Sequence, residues 1–362
     1  MQPAKDTRTS AGPAAGTPGT FWGAGSLGEL TAVCESAGAR RVMAVAGASA
    51  DSVAGRLPSL LGKRYIGRWS GTAAHVPARQ ASLAVGSARE THADCVLAIG
   101  GGSAIGMAKI VALALRVPLI AVPTTFSGSE MTSRYLVTTD RGAEIGASAR
   151  SLPRTVIYDP DLLTTLPARV AAASGLIAVA HCVEALCYPG VPSDARDWAR
   201  EGLLLLWDSL GKVAAGPADP SCLQDALAGA SMAGRAHEAA GPGLLHLLCD
   251  IATARKVAEY GAILLLLLAP VLRAHGDGAA SASAALAQLR PEVPAVTALA
   301  EFAAALGLEP GPDTPAVRAA LAALTTEAGA HPMARPGLAA EPAMRRLPAL
   351  LTDSLPDHIS PD

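Results

Sequence analysis

The sequence predicts a two-part protein, an α/β half built on a parallel sheet and a second half made of helices. Three observations predict it. From Arg40 to Val122, short apolar strand candidates alternate with helical patterns, the rhythm of a sheet covered on both faces. The apolar run Cys95 to Ile99 leads directly into three glycines and a helix start. After Asp161, helical periodicity continues with almost no strand signal. With 362 residues, half of them apolar, the chain has material for two cores.

Taken in order, residues 1–20 are rich in Ala, Gly, Pro and Thr and lack an apolar stretch, which predicts a disordered tail rather than a signal peptide. A Rossmann-like domain is expected over 21–160. Its strands are read at Val42 to Ala46, Tyr65 to Gly67, Cys95 to Ile99 and Leu119 to Val122, and its helices at 51–61, 78–91 and 103–115. An irregular pair of strands, Tyr135 to Thr138 and Thr155 to Tyr158, is expected to close it. The boundary falls near 159–162, and an all-α domain fills 161–362, with helices at 168–187, 193–215, 221–239, 242–273 and 294–307. Between 274 and 293, Gly, Ala and Ser followed by Pro291 and Pro294 predict a mobile connection. No internal repeat is visible.

Composition narrows the function classes. The net charge is −2 and no Lys/Arg cluster exists, so nucleic acid is not an expected partner. The six cysteines form no CxxC pair and mostly lie in apolar runs, as buried thiols do in a reducing cytoplasm. The longest apolar run, Ala262 to Leu272, spans 11 residues and contains Pro270, too short to cross a bilayer. A cytoplasmic enzyme of small molecules is expected, with no membrane partner.

The chemistry concentrates between 95 and 131. Gly100, Gly101 and Gly102 let a ligand approach the backbone, and a helix opening at Ser103 aims free N–H groups and its positive dipole end at the same place, which suits a pyrophosphate. The spacing is not G-x-G-x-x-G, and a tight strand-to-helix turn without ligand is the plain alternative. Thr124 and Thr125 follow another strand, at the carboxyl end where open α/β sheets bind ligands.

The pair GGGSAIGMAK (100–109) and PTTFSGSEMT (123–132), with Ser129 in the second, resembles the iron-containing alcohol dehydrogenase superfamily, and within it the maleylacetate reductases. Further matches are Phe21 to Gly25, His75 to Pro77, Tyr158 to Pro160 and Ser174 to Leu186, ordered along the chain from about 20 to 350. The resemblance implies a dehydroquinate synthase-like fold, NAD(H) or NADP(H) in the cleft between domains, and a homodimer. The short segment Gly47-Ala48-Ser49 after the first strand holds no acidic residue, so the choice between the two nicotinamides stays open. Metal-dependent members hold their ion with one aspartate and three histidines. By resemblance these positions fall on Ile177, His181, Asp250 and Tyr260, a set too poor in donors for a tight site, so no tightly bound metal is expected.

His181 and His246 are then the leading catalytic candidates. Asp250 stands four residues after His246, within reach on a helix, and Tyr260 is a possible proton donor. Arg134, Arg255 and Lys256 could meet an acidic substrate, and Ile177 with Leu245 could form an apolar wall. Glu184 reads as structural. Three functions follow: an NAD(P)H-dependent reductase of a conjugated acid or carbonyl, a non-redox cyclase, lyase or isomerase using His181, His246 and Asp250, or an inactive scaffold. Nicotinamide binding discriminates the first from the others.

Overall fold

The computed structural model describes residues 17–216, 219–311 and 313–352. Its strands are β1 (Gly19–Trp22), β2 (Val42–Ala46), β3 (Tyr65–Trp69), β4 (Cys95–Gly100), β5 (Leu119–Pro123), β6 (Arg134–Thr139), β7 (Gly142–Ala147) and β8 (Thr155–Tyr158). Six of them make one sheet in the order β1-β8-β5-β4-β2-β3, with every pair parallel. β2, β4 and β5 are buried along their whole length, as central strands covered on both faces must be.

Five helices belong to this half: α1 (Leu30–Ser36), α2 (Asp51–Ala54), α3 (Leu57–Leu61), α4 (Ala78–Glu90) and α5 (Gly102–Leu115). Leu27, Leu30 and Leu57 close one face of the sheet against Ile99 and Val122. The other face packs on α4 and α5, and that core runs without a break into the second half. There the chain forms α6 (Ala168–Leu186), α7 (Ser193–Ala215), α8 (Pro220–Ala240), α9 (Leu244–Ala254), α10 (Tyr260–His275), α11 (Ala280–Leu289), α12 (Ala295–Ala305), α13 (Pro315–Ala330) and α14 (Pro342–Thr352). α6 is the central helix, packed on α7 and α8.

Several expectations change. Residues 1–16 of the expected tail lie outside the described residues, and Gly19 and Thr20 already belong to β1. The two strands expected between 134 and 158 do not pair with each other. β6 instead forms an antiparallel hairpin with β7, while β8 enters the main sheet between β1 and β5. The helix expected over 242–273 is two helices, broken at 255–259 where Lys256 takes φ 59°. The expected mobile connection at 274–293 contains α11, which is held by burial of Ala282, Ala285 and Leu286. Two stretches, Ala168–Leu186 and Tyr260–Leu289, are long and apolar enough to cross a membrane by length and composition. In this fold, 78% and 50% of their most apolar windows are buried.

One seam fixes the halves together. Gly128, at φ 73°, lies against α8 so closely that a Cβ there would overlap the Ala230 carbonyl. A Cβ on Gly234 would likewise overlap the Gly128 carbonyl. Main chain meets main chain there, three residues before His237.

Candidate active site

A cleft of about 730 Å³ opens at the carboxyl ends of β2, β4 and β5 and is closed on its other side by α6, α8 and α9. Gly100 turns the chain from β4 toward α5 at φ 143°, where a Cβ would press on Ala104 at 2.8 Å. Gly101, Gly102 and Ser103 form the wall at the N-terminus of α5. Thr125 and Ser129 line the cleft with them, whereas Thr124 does not; its N–H donates to the Gly100 carbonyl at 3.1 Å and extends the strand pairing. A Cβ on Gly101 would strike Thr125, but one on Gly102 would make only ordinary contact, 3.9 Å from the Ser127 and Ser129 hydroxyl oxygens. Gly102→Val is therefore the cleaner probe. It should leave the fold intact and abolish quenching of NAD(P)H fluorescence, because the side chain enters the room a pyrophosphate needs. Unchanged binding would make this loop a plain turn.

Lys109 holds the far rim. Its ammonium donates to the Ser129 carbonyl (2.8 Å), the Thr132 hydroxyl (2.9 Å) and the Arg134 carbonyl (2.9 Å), and burial pulls it down to about 7. The rim so fixed presents Arg134 to the cleft, with its Nη1 buried and without a hydrogen-bond partner. Burial lowers the Arg134 guanidinium, while Glu238, Asp250 and Glu184 hold it toward the charged form.

Near Arg134 stand three imidazoles. His181 of α6, His237 of α8 and His246 of α9 each offer a ring nitrogen, and these atoms lie within 4.8 Å of one another. His181 stacks on His237 with centroids 4.0 Å apart, and His246 tilts against both at 4.4 and 4.5 Å. Burial first, then the neighbouring His246 and Arg134 charges, holds His181 well below the usual histidine range. For His237, burial and Arg134 lead, so both rings are neutral. The His181 Nδ1, His237 Nδ1 and His246 Nε2 atoms are buried without hydrogen-bond partners. Unsatisfied buried nitrogens are rare unless something accepts or supplies a proton or an electron pair there.

Glu184 explains how His246 is aimed. One turn after His181 on α6, its carboxylate accepts from Gly243 N (3.1 Å), Leu245 N (2.6 Å) and His246 Nδ1 (2.7 Å). It thus caps the N-terminus of α9, and glycine at 243 lets it come close: a Cβ there would sit 2.6 Å from the carboxyl carbon. Burial raises the Glu184 carboxyl, but the charge and hydrogen bond of His246, Arg335 and the Leu245 amide outweigh it and leave it at about 2. A carboxylate only accepts, so Nδ1 carries the proton of that bond and Nε2 faces the cleft.

Asp250 and Tyr260 line the same cleft. Burial lifts Asp250 to about 6 against the pull of His246 and Arg134, and burial with Asp250 nearby keeps Tyr260 a phenol. Ile177 lines the cleft as well. Three expected residues do not. Leu245 is buried in the core, turned away from the cleft that its neighbour His246 faces. Arg255 pairs at the surface with Glu327, and Lys256 occupies the exposed turn after α9, because the helix ends at Ala254 and carries both outward. The sequence reading missed His237, which no local motif marks. It also counted a single imidazole, His181, at the metal positions, with Asp250 taking the next place. In the structure His237 and His246 stand beside His181, so the shortage of donors that argued against a metal is gone. Three convergent imidazoles, each with a buried ring nitrogen that has no hydrogen-bond partner, fit a transition ion.

A family model described as iron-containing alcohol dehydrogenase matches residues 18–160. The crystal structure of a maleylacetate reductase from Agrobacterium tumefaciens aligns at 30% identity and TM-score 0.78, covering 97% of this chain and 97% of that one. The chain belongs to the iron-containing alcohol dehydrogenase family and is maleylacetate reductase-like. A maleylacetate reductase from Burkholderia cepacia is 39% identical over 233 residues, which is 64% of this chain and 66% of that enzyme, just under two thirds of its length. A sulfoacetaldehyde reductase from Bifidobacterium kashiwanohense, solved in complex with NAD+, shares the fold at 18% identity and TM-score 0.80 over 95% of this chain and all of that one. These relatives are reductases, and they give no support to the non-redox and scaffold readings of this family member.

Proposed function

We propose that the protein is an NAD(P)H-dependent reductase of the maleylacetate reductase type, acting on a conjugated carbonyl compound that carries a carboxylate. The observation that carries this reading is the Arg134 guanidinium, buried at Nη1 and unpartnered, facing the cleft between the glycine loop and the imidazoles. A substrate carboxylate is the partner such a group lacks. The names of the relatives support the reaction class, and the NAD+ complex of the more distant reductase supports nicotinamide in this cleft. The same proposal places the enzyme in the cytoplasm as a homodimer; its six buried free thiols suit a reducing compartment.

Nicotinamide would supply the hydride, which adds to the alkene carbon remote from the carbonyl. The electron pair then moves onto the carbonyl oxygen, and saturation needs one proton at the neighbouring carbon. Tyr260, kept a phenol, can donate a hydrogen bond to the developing oxyanion. Asp250, lifted to about 6, is poised to deliver the proton and recover it from solvent. Ile177 limits water on the α6 side of the cleft. An ion held by the imidazoles would add Lewis-acid polarisation of the same oxygen.

The test is NADH and NADPH oxidation with maleylacetate, followed by other unsaturated keto acids. Tyr260→Phe and Asp250→Asn should each lower turnover by about 10²-fold with nicotinamide binding unchanged. Failure to consume either nucleotide with any acidic conjugated carbonyl, in a protein that binds neither, would overturn the proposal.

A further inference from the structure

We infer that His181, His237 and His246 form a three-imidazole site for a divalent transition ion, in which α8 supplies a ligand that the family pattern does not call for. The positions that resemblance assigns to ligands include Ile177, which has no donor atom, and Tyr260, a phenol held in its protonated form. His237 makes up the loss from a different helix. Its Nδ1, the Nδ1 of His181 and the Nε2 of His246 are each buried without a hydrogen-bond partner, and all three rings border the cleft, so an ion there keeps an open position for substrate.

A further feature fits an ion. Glu184 accepts a hydrogen bond from the Nδ1–H of His246 at 2.7 Å, the carboxylate–histidine arrangement that fixes the tautomer of a metal ligand and raises its basicity. Three imidazoles with no thiolate favour Fe, Co, Ni, Cu or Zn and are a poor set for Mg or Ca. Gly234 and Gly128 press α8 against the cofactor loop, which fixes the height at which His237 enters the cluster.

The experiment needs neither substrate nor nicotinamide, so it is independent of the reductase proposal. Purified full-length protein is stripped with a chelator and titrated with Co2+ and Zn2+. Bound ion is measured by elemental analysis after desalting, and ligation by visible Co2+ bands and X-ray absorption. The expected result is one ion per chain with three imidazole ligands. His237→Ala should weaken binding by at least about 10²-fold, beyond the roughly 10–100-fold expected for a residue that only orients a ligand, such as Glu184. Because α8 is closely packed, His237→Gln is made in parallel and circular dichroism checks both folds. Spectra of the wild-type protein showing three imidazoles would support the site even if neither variant folds. Absence of a bound ion in the wild-type protein, fewer than three imidazole ligands, or unchanged affinity in a folded His237 variant would overturn it.

Discussion

Replacing Arg134 by methionine is expected to lower kcat/KM for a carboxylated substrate by roughly 10²- to 10³-fold. Truncating one member of a buried charge pair typically costs about 2–5 kcal/mol. The methionine stem preserves the packing of the aliphatic part, so the loss reports the charge. Most of it should fall on KM, since a carboxylate away from the reacting carbons is held alike in ground and transition states. The affinity for NAD(P)H should not change, because the backbone offered to a pyrophosphate is that of the Gly102 turn and not Arg134. The control is an enone of similar size without a carboxylate, whose kcat/KM should be equal in the two proteins. Equal losses for charged and neutral substrates would mean that Arg134 only shapes the rim, and the acidic substrate class would fall with it.

Glu184→Gln should destabilise the fold by about 3–5 kcal/mol, the scale for breaking a buried charge-assisted network. Three N–H groups point at this one carboxylate, and an amide there turns at least one donor against another. The pH dependence carries a sign. The folded carboxyl sits at about 2, below its usual value of 4.5, so the stabilisation is complete above about 4.5 and is lost as pH falls toward 2. Chemical unfolding of the wild-type protein should weaken over that interval by about 3 kcal/mol more than unfolding of Glu184→Gln. Parallel pH curves for the two proteins would show that Glu184 is not the group responsible.

Legibility in the sequence followed the locality of the forces. β4, the glycine turn and α5 could be read because an apolar run, three glycines and a helical period lie side by side in 20 residues. β7 could not, since Gly142–Ala147 contains two glycines and two alanines and is a strand only through its ladder with β6. The break at 255–259 was hidden because apolar residues keep helical spacing on both sides of it. α11 looked like a linker because Ala and Ser suit both states, and packing of Leu286 decides between them. In the site, His181, His246, Asp250 and Tyr260 were visible through their motif neighbours. His237 was not, since its place beside His181 and His246 is set by packing against other helices.

The glycine seam between the loop after β5 and α8 also bears on how such a cleft can change. Side-chain contacts drift when either partner mutates, but Gly128 and Gly234 meet through main chain, and even alanine at either position overlaps a carbonyl. The separation of the two halves at this point is therefore written into the backbone and not into any residue pair that could be exchanged. If a donor on α6 or α10 were replaced by one on α8, the frame that sets the distances would stay put while the chemistry was rearranged. The backbone fixes the spacing, and the side chains that use it are open to exchange.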